Sequence, residues 1–316
     1  MPLEQSGLIP ATHLGAPAIV LQNAFLRAVV LPDLGGKLAS LVYRPQSFEV
    51  LSQPAARAYR RPAYGAPFAE YDTSGADEMF PTIDACAYPL PPFAGAALPD
   101  HGEAWSQPWD MSVEGDLLVG TVRSRALPLS LTRRLGIERE RLLLSYRVRN
   151  DGAAPAAFLW AFHGLVAADD DSRLELPGAR RVLVAHDSPR LGARGSEQPF
   201  PAAQTLAGEP CRLDRLPPKG TTEKLWVAGG VTTGEASVTL NHGRLRYTLR
   251  FPRDTVPHLG LWLNAGGFKG EHNLALEPST GYYDDLVTAA RTGTAVTLAP
   301  GASTTFVCTI TLAPVG

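Results

Sequence analysis

The feature that most constrains this chain is an alternation of apolar and polar residues with a period of two. In Arg244–Phe251 every second side chain is apolar, and Leu142–Arg149 and Thr305–Leu312 repeat the pattern. Successive side chains of a strand point to opposite faces, so the pattern predicts β-strands with one buried face. Further strands are predicted at 17–22, 25–31, 37–43, 116–124, 128–137, 156–166, 180–185, 224–228, 236–241, 258–264 and 273–277.

Helical periodicity is nearly absent from the sequence, and Tyr283–Arg291 is the best candidate for a short helix. The 30 Gly and 28 Pro residues occur at the spacing of turns. Many strands without a βαβ rhythm predict an all-β fold, a single large antiparallel β-sandwich that spans residues 1–316 as one domain. Segments 52–112 and 186–222 lack the alternation, and we expect them to cross one face of the sandwich as functional loops.

Composition excludes several classes of protein. The 316 residues carry a formal net charge of -2 without a Lys/Arg cluster, which argues against a nucleic-acid partner. There is no apolar run long enough to span a membrane and no secretory leader, so we expect a cytoplasmic protein without a membrane partner. The widely spaced Cys86, Cys211 and Cys308 suggest neither a zinc site nor a disulfide framework. Signatures of zinc hydrolases, serine hydrolases and nucleotide-binding loops are missing.

Two ionisable side chains stand in strongly apolar strand segments. His163 is the only strongly polar residue of Phe158–Val166, and Glu277 is the one carboxylate of Asn273–Gly281. Burial and a neighbouring partner can move the pKa values of such groups toward neutrality, where a general acid and a general base work best. Each could instead be a core residue that bonds to backbone groups, but the pair together favours catalysis.

Strand 258–264 carries a candidate ligand-binding face. Its alternation sets Trp262 and Asn264 on the face opposite the leucines, where a flat ring could cover a sugar and an amide could bond to hydroxyls. Trp262 could equally pack beneath a loop. The same alternation leaves small and polar neighbours around Glu277, which would give a ligand room.

Two loop segments add further candidates for ligand binding. Pro99–Trp109 concentrates His101 and Trp105 with two acids, a mixture of aromatic and hydrogen-bonding groups that suits polyol recognition. Gly75–Pro81 pairs Asp77 and Glu78 with an apolar anchor. The acidic triplet at 169–171 lacks the spacing of a calcium loop and is predicted to be a solvated turn, so no metal site is expected.

The order of these motifs resembles that of the aldose 1-epimerase, or galactose mutarotase-like, family over nearly the whole chain. The resemblance begins with Val30–Leu41 and continues through the Asp-His-Gly-Glu motif at 100–103. It then includes the Trp-Ala-Phe-His strand at 160–163, the Leu-Gly-Leu-Trp motif at 259–262 and the Ala-Leu-Glu-Pro motif at 275–278. The Glu-Pro motif and the strand histidine carry most of the resemblance.

The resemblance implies a large antiparallel sandwich whose curved face holds a small-molecule sugar. Glu277 matches the family's general base, His163 its general acid, and His101 a second histidine near the ring oxygen. The implied reaction interconverts the α and β anomers of an aldose: Glu277 takes the anomeric proton, His163 protonates the ring oxygen, and the opened chain recloses. The family's mechanism requires neither a metal nor an organic cofactor.

The sequence departs from the best-known galactose mutarotases at two points. Gly75–Pro81 stands where they carry an Asn-Arg sugar-binding segment, and Asp254 is a poor counterpart of their substrate-binding Asp. Three alternatives stay open: a non-catalytic sugar-binding protein, a lyase or hydrolase, and a phosphosugar epimerase with Lys37 or Lys269 at the phosphate. A glycosidase would need two carboxylates at the scissile bond, and only Glu277 is well placed.

Overall fold

The computed structural model describes residues 7–315, which form an all-β architecture with 48% of the chain in strands and 5% in helices. The single α-helix of this range is α1, Leu286–Thr292. The strands are β1 Gly7–His13, β2 Ala16–Gln22, β3 Leu26–Leu31, β4 Lys37–Tyr43, β5 Phe48–Glu49, β6 Ala76–Met79, β7 Cys86–Ala87, β8 Ala97–Leu98, β9 Asp110–Glu114, β10 Leu117–Arg123, β11 Leu129–Glu138, β12 Arg141–Asn150, β13 Ala156–Phe158, β14 Ala161–Ala167, β15 Arg173–Glu175, β16 Arg181–Val184, β17 Glu197–Pro199, β18 Ala202–Gln204, β19 Pro210–Arg212, β20 Thr222–Val227, β21 Glu235–Leu240, β22 Leu245–Arg250, β23 His258–Ala265, β24 His272–Ser279, β25 Val296–Leu298 and β26 Ser303–Pro314.

Two large antiparallel sheets account for most of the strands in residues 7–315. The first has 12 strands in the order β1-β2-β3-β4-β6-β14-β24-β23-β20-β16-β17, with β5 paired to β4, and the second has 8 in the order β15-β21-β22-β26-β12-β11-β10-β9. Neighbouring strands in space are often distant in the chain, so segments from both ends of the sequence meet in each sheet. The predicted large antiparallel fold is confirmed.

The hydrophobic core lies between the two large sheets. On β12, Leu142, Leu144, Tyr146 and Val148 are buried, whereas the residues between them are half-buried or exposed. Strand β26 shows the same alternation. These are the faces that the period-two pattern predicts to be inward, and their burial supplies the main driving force for folding.

Most predicted strands agree with the structure to within one or two residues, but the prediction for 156–166 is wrong in one respect. The run is broken at Leu159 and Trp160, so that β13 pairs with β25 in a small separate sheet while β14 enters the 12-stranded sheet. The predicted helix is real but begins later, at Leu286. Asp285 caps it by accepting a hydrogen bond from the Thr288 backbone N–H at 2.7 Å.

The prediction that 52–112 is wholly a loop excursion is also wrong, because β6 lies near the middle of the 12-stranded sheet. All four of its residues are buried. Its sequence, Ala-Asp-Glu-Met, sets one acid on each face, so it shows neither an apolar alternation nor an apolar run, which explains why the sequence pattern missed it. The rest of 52–112 and much of 186–222 do form long connections.

A buried polar cluster centred on Glu78 joins the two large sheets. Its carboxylate, on β6, accepts hydrogen bonds from Arg133 Nη1 on β11 and Tyr146 OH on β12, both at 2.9 Å. It also accepts one from Trp160 Nε1 at 2.8 Å. Glu78 is fully buried on the core side of the sheet, so its predicted place among sugar-binding residues is wrong. It is the partner that satisfies three core donors.

No helix within residues 7–315 is long and apolar enough to cross a membrane.

Because Glu78 bonds to three buried donors, replacing it should destabilise the whole fold. Glu78→Gln leaves the Arg133 guanidinium buried without a counter-charge, so we expect a loss of about 3 kcal/mol or more in the free energy of unfolding. Urea unfolding followed by circular dichroism measures this. The control is Glu114→Gln, which breaks an exposed pair with Arg134 and should cost less than about 1 kcal/mol. Equal losses in the two variants would contradict the assignment.

Candidate active site

A cavity of about 330 Å³ opens on the outer face of the 12-stranded sheet, the face away from the core. The connections within 52–112 supply much of its wall, whereas 186–222 contributes only His186. Its lining combines imidazoles, one ammonium, carboxylates and aromatic rings: His101, His163, His186, Lys224, Asp84, Asp100, Glu271, Asp284, Phe68, Trp262 and Phe268. A concave, largely apolar site with a few convergent polar groups is typical of small-molecule binding.

A row of ionisable side chains crosses the sheet beneath this cavity. Asp77 on β6 is the cross-strand partner of His163 on β14, and the register of β14 against β24 sets His163 level with Glu277. Residues opposite each other on adjacent strands have Cβ atoms about 4.5–5.5 Å apart and share a face. The structure thus brings together the two residues that the sequence predicts to be the acid and the base.

Glu277 is completely buried, and Lys224 covers it on the cavity side. Lys224 Nζ donates a short hydrogen bond to Glu277 Oε2 and lies 4.0 Å from Asp284 Oδ1. Glu277 Oε1 has no hydrogen-bond partner among the residues that the structure describes. Burial raises the pKa of Glu277 above its ordinary value, and the Lys224 charge counteracts that rise. Burial alone would lower the pKa of Lys224, but the negative charges of Glu277 and Asp284 outweigh the effect of burial, so the pKa is raised.

His163 lies between aromatic rings at the cavity floor. Its ring makes edge contacts with Phe68, centroids 5.6 Å apart, and with His101 at 5.3 Å. Its Nδ1 is buried without a hydrogen-bond partner in the described part of the chain, so Nε2 is the atom that can reach a ligand. Burial lowers the pKa of His163 well below its ordinary value, and the positive charges of His101, Lys224 and Lys37 act in the same direction.

His101 reaches the site because of the glycine that follows it. Gly102 adopts a φ of 71°, and a Cβ there would lie 2.3 Å from the Phe80 carbonyl oxygen. Only glycine can pack this closely against the Phe80 backbone, which follows β6, and this explains the His-Gly motif. The turn lets His101 stack on Phe68 at 3.8 Å, while its Nδ1 bonds to Asp100 Oδ1 at 2.9 Å.

Asp77 and Lys37 form a buried pair beside the cavity and do not line it. Lys37 Nζ contacts Asp77 Oδ2 at 2.5 Å, donates to the Ser74 carbonyl at 2.6 Å and lies 3.6 Å from Asp72. Burial raises the pKa of Asp77 to about 6 despite the Lys37 charge. Because these contacts occupy its ammonium group, Lys37 is poorly placed to bind a phosphate.

The three remaining candidates lie at different depths. Trp262 lines the cavity and is held by a hydrogen bond from its Nε1 to Asn273 Oδ1 at 3.2 Å. Trp105 lies behind the wall, where its ring packs edge-on against Phe68 at 5.0 Å. Asn264 is fully buried and is bonded to Thr222 and to the backbone of Phe268. Asn264 therefore shapes the turn that carries Phe268, and its predicted contact with ligand is wrong.

Sequence reasoning missed Phe68, His186, Lys224 and Asp284, all of which line the cavity. Three of them stand in connections without a periodic signal. Lys224 could have been found, because it is the one charged residue on the outward face of the predicted strand 224–228 and pairs in register with Trp262.

Comparison with known structures supports the assignment of the fold. The Slr1438 protein of Synechocystis sp. PCC 6803 matches with a TM-score of 0.69 and 16% identity over 98% of this chain and 99% of that chain. A galactose mutarotase-like protein of Lactobacillus casei matches with a TM-score of 0.65 and 20% identity, over 94% of this chain and 100% of that one. A galactose mutarotase-like protein of Clostridium acetobutylicum matches with a TM-score of 0.67 and 13% identity, over 99% of this chain and 100% of that one.

No protein-family model matches the sequence, and no curated protein does. The matches to solved structures show that the fold is that of the galactose mutarotase-like proteins. At sequence identities of 13% and 20%, these matches define the fold alone.

Proposed function

We propose that this protein is an aldose 1-epimerase that acts, as a single domain, on the anomeric centre of a free aldose. One observation carries the proposal: His163 and Glu277 stand side by side beneath a cavity whose wall includes the Trp262 ring. A basic carboxylate and an imidazole at this spacing suit proton transfer to and from the two oxygens on one anomeric carbon. The cavity volume of about 330 Å³ is adequate for one monosaccharide.

The proposed reaction uses two proton transfers. Glu277 takes the proton of the anomeric hydroxyl, and protonated His163 gives its proton to the ring oxygen as the bond from that oxygen to the anomeric carbon breaks. The open-chain carbonyl rotates, and the reverse transfers close the ring on either face. Each positioned group could supply roughly 10²–10⁴-fold in rate.

Lys224 tunes the base in this scheme. Its positive charge offsets part of the rise in pKa that burial causes at Glu277, and so favours the ionised carboxylate. Glu277 Oε1, unpartnered within residues 7–315, is the oxygen that accepts the anomeric proton. Lys224 bonds to the other oxygen, Oε2, and so leaves Oε1 for the sugar hydroxyl.

The charges around the cavity favour an uncharged aldose over a phosphosugar. Four carboxylates line it, from Asp84, Asp100, Glu271 and Asp284, whereas the lining ammonium of Lys224 already pairs with Glu277. The other proposed phosphate ligand, Lys269, is exposed and donates to the Tyr71 carbonyl. A dianionic phosphate would be repelled by this wall, so we expect slower turnover of hexose 6-phosphates than of hexoses.

Substitutions in the row and at Trp262 should separate catalysis from sugar binding. Glu277→Gln removes the base and His163→Asn removes the acid, so each should lower the anomeric exchange rate by about 10² or more while sugar still binds. Trp262→Ala should mainly weaken affinity, because it deletes stacking area. Saturation-transfer NMR of a panel of free and phosphorylated aldoses measures exchange, and titration calorimetry measures affinity.

The control for these variants is Asp254→Asn, since the Asp254 side chain is 92% exposed and is not part of the cavity lining. It should exchange anomers as the wild type does. A non-catalytic sugar-binding protein gives a different result: the wild type would not exceed the spontaneous rate, and Glu277→Gln would alter affinity only. That outcome would reject the proposed activity.

The pH profile of kcat/KM should have its maximum below the ordinary imidazole pKa of 6.5. Activity falls on the acid side as Glu277, whose pKa is raised, gains a proton. It falls on the alkaline side as His163, whose pKa is lowered, loses one. Lys224→Met removes a positive charge that lowers both pKa values, so both limbs should move to higher pH.

Lys219→Met, which removes an exposed ammonium group, should leave the profile in place and is the matched control. A purely structural Lys224 would lower activity equally at every pH. Limbs that do not move in Lys224→Met would therefore contradict the electrostatic role of this residue.

A further inference from the structure

A second group of potential ligands stands at the edge of the cavity, apart from the His163–Glu277 row. Asp84 follows β6, His186 follows β16, and Asp284 precedes α1. Their three connections converge so that one donor atom from each lies within 4.8 Å of the others. His186 Nε2 is 3.9 Å from Asp84 Oδ2 and 4.0 Å from Asp284 Oδ2.

These separations suit a shared cation. Donor atoms bound to one transition-metal ion at about 2.1 Å lie about 3.0–4.2 Å from each other. One imidazole and two carboxylates form a mixed nitrogen and oxygen set, which suits ions such as Mn²⁺ and Zn²⁺ better than Ca²⁺ or Mg²⁺. Three ligands on one wall leave coordination positions open toward the cavity.

Asp284 supplies an independent indication of a missing ligand. Its side chain is 1% exposed and lines the cavity. Trp226 Nε1 donates to its Oδ2 at 3.2 Å. Its Oδ1 is 4.0 Å from Lys224 Nζ, beyond hydrogen-bond distance, and has no hydrogen-bond partner among the residues described. A buried carboxylate oxygen without a partner is costly unless a proton, a cation or a water satisfies it.

The local charge balance points the same way. Lys224 is the ammonium closest to Asp284 in the described structure, yet it makes its short hydrogen bond to Glu277. The carboxylates of Glu277, Asp284 and Asp84 all act on this one ammonium, so negative charge is in excess around it. A divalent cation would balance this excess.

We propose that Asp84, His186 and Asp284 form a binding site for a divalent transition-metal ion at the edge of the cavity. A coordinating imidazole must be neutral, so metal affinity should fall as the pH is lowered.

Binding of Mn²⁺ without sugar tests the site and is independent of the proposed epimerase activity. Electron paramagnetic resonance measures the free Mn²⁺, and equilibrium dialysis against Zn²⁺ is a second probe. We expect one bound ion per chain at pH 7.5 and weaker binding at pH 5.5. Asp284→Asn and His186→Gln should each weaken binding by about 10-fold or more. Asp84→Asn serves as a second carboxylate variant if Asp284→Asn fails to fold, and circular dichroism checks the folding of all three.

A surface cluster provides the matched control. Asp169, Asp171 and His242 also converge within 4.8 Å, but Asp169 already accepts hydrogen bonds from the backbone N–H groups of Asp171 and His242. Asp171→Asn should leave Mn²⁺ binding unchanged. Three outcomes would each overturn the proposal. The first is loss of Mn²⁺ binding in Asp171→Asn, and the second is wild-type affinity in both Asp284→Asn and His186→Gln. The third is that the wild type does not bind Mn²⁺ at millimolar concentration.

Discussion

The hydrogen bonds between Glu78 and three core donors are the constraint on which the rest of the structure depends. They hold β6 against the opposite sheet, through Arg133 and Tyr146. Adjacent strand residues point to opposite faces, so fixing Glu78 inward fixes Asp77 outward, level with His163. A slip of one residue would reverse both. The row of ionisable side chains under the cavity is thus positioned from within the core.

Much of the fold could be predicted from the sequence, because strands with one buried face carry a period-two pattern. Strands such as β12 and β26 lie where the alternation places them. Strand β6 was missed because it is buried on both faces and yet carries one acid on each, so that it has no apolar pattern of either kind. The same reason explains the error at Glu78: alternation cannot tell the core face from the ligand face of a strand on which every residue is buried.

The site was predictable in part. His163 and Glu277 stand out because a polar residue in an apolar strand is conspicuous, and His101 because a His-Gly pair marks a turn. His186 and Asp284 could be assigned only once the fold was known, since they lie in connections and approach each other from distant parts of the chain. Lys224 was missed although it is the one charged residue of the predicted strand 224–228. The lysine changes the chemistry most: through it, a completely buried carboxylate can remain ionised.

A crystal structure with a bound aldose would show whether the anomeric centre of the sugar lies over the His163–Glu277 pair. We expect the ring oxygen within about 3 Å of His163 Nε2, and the anomeric hydroxyl at a similar distance from Glu277 Oε1. A sugar bound with its anomeric carbon away from this pair would contradict the proposed mechanism.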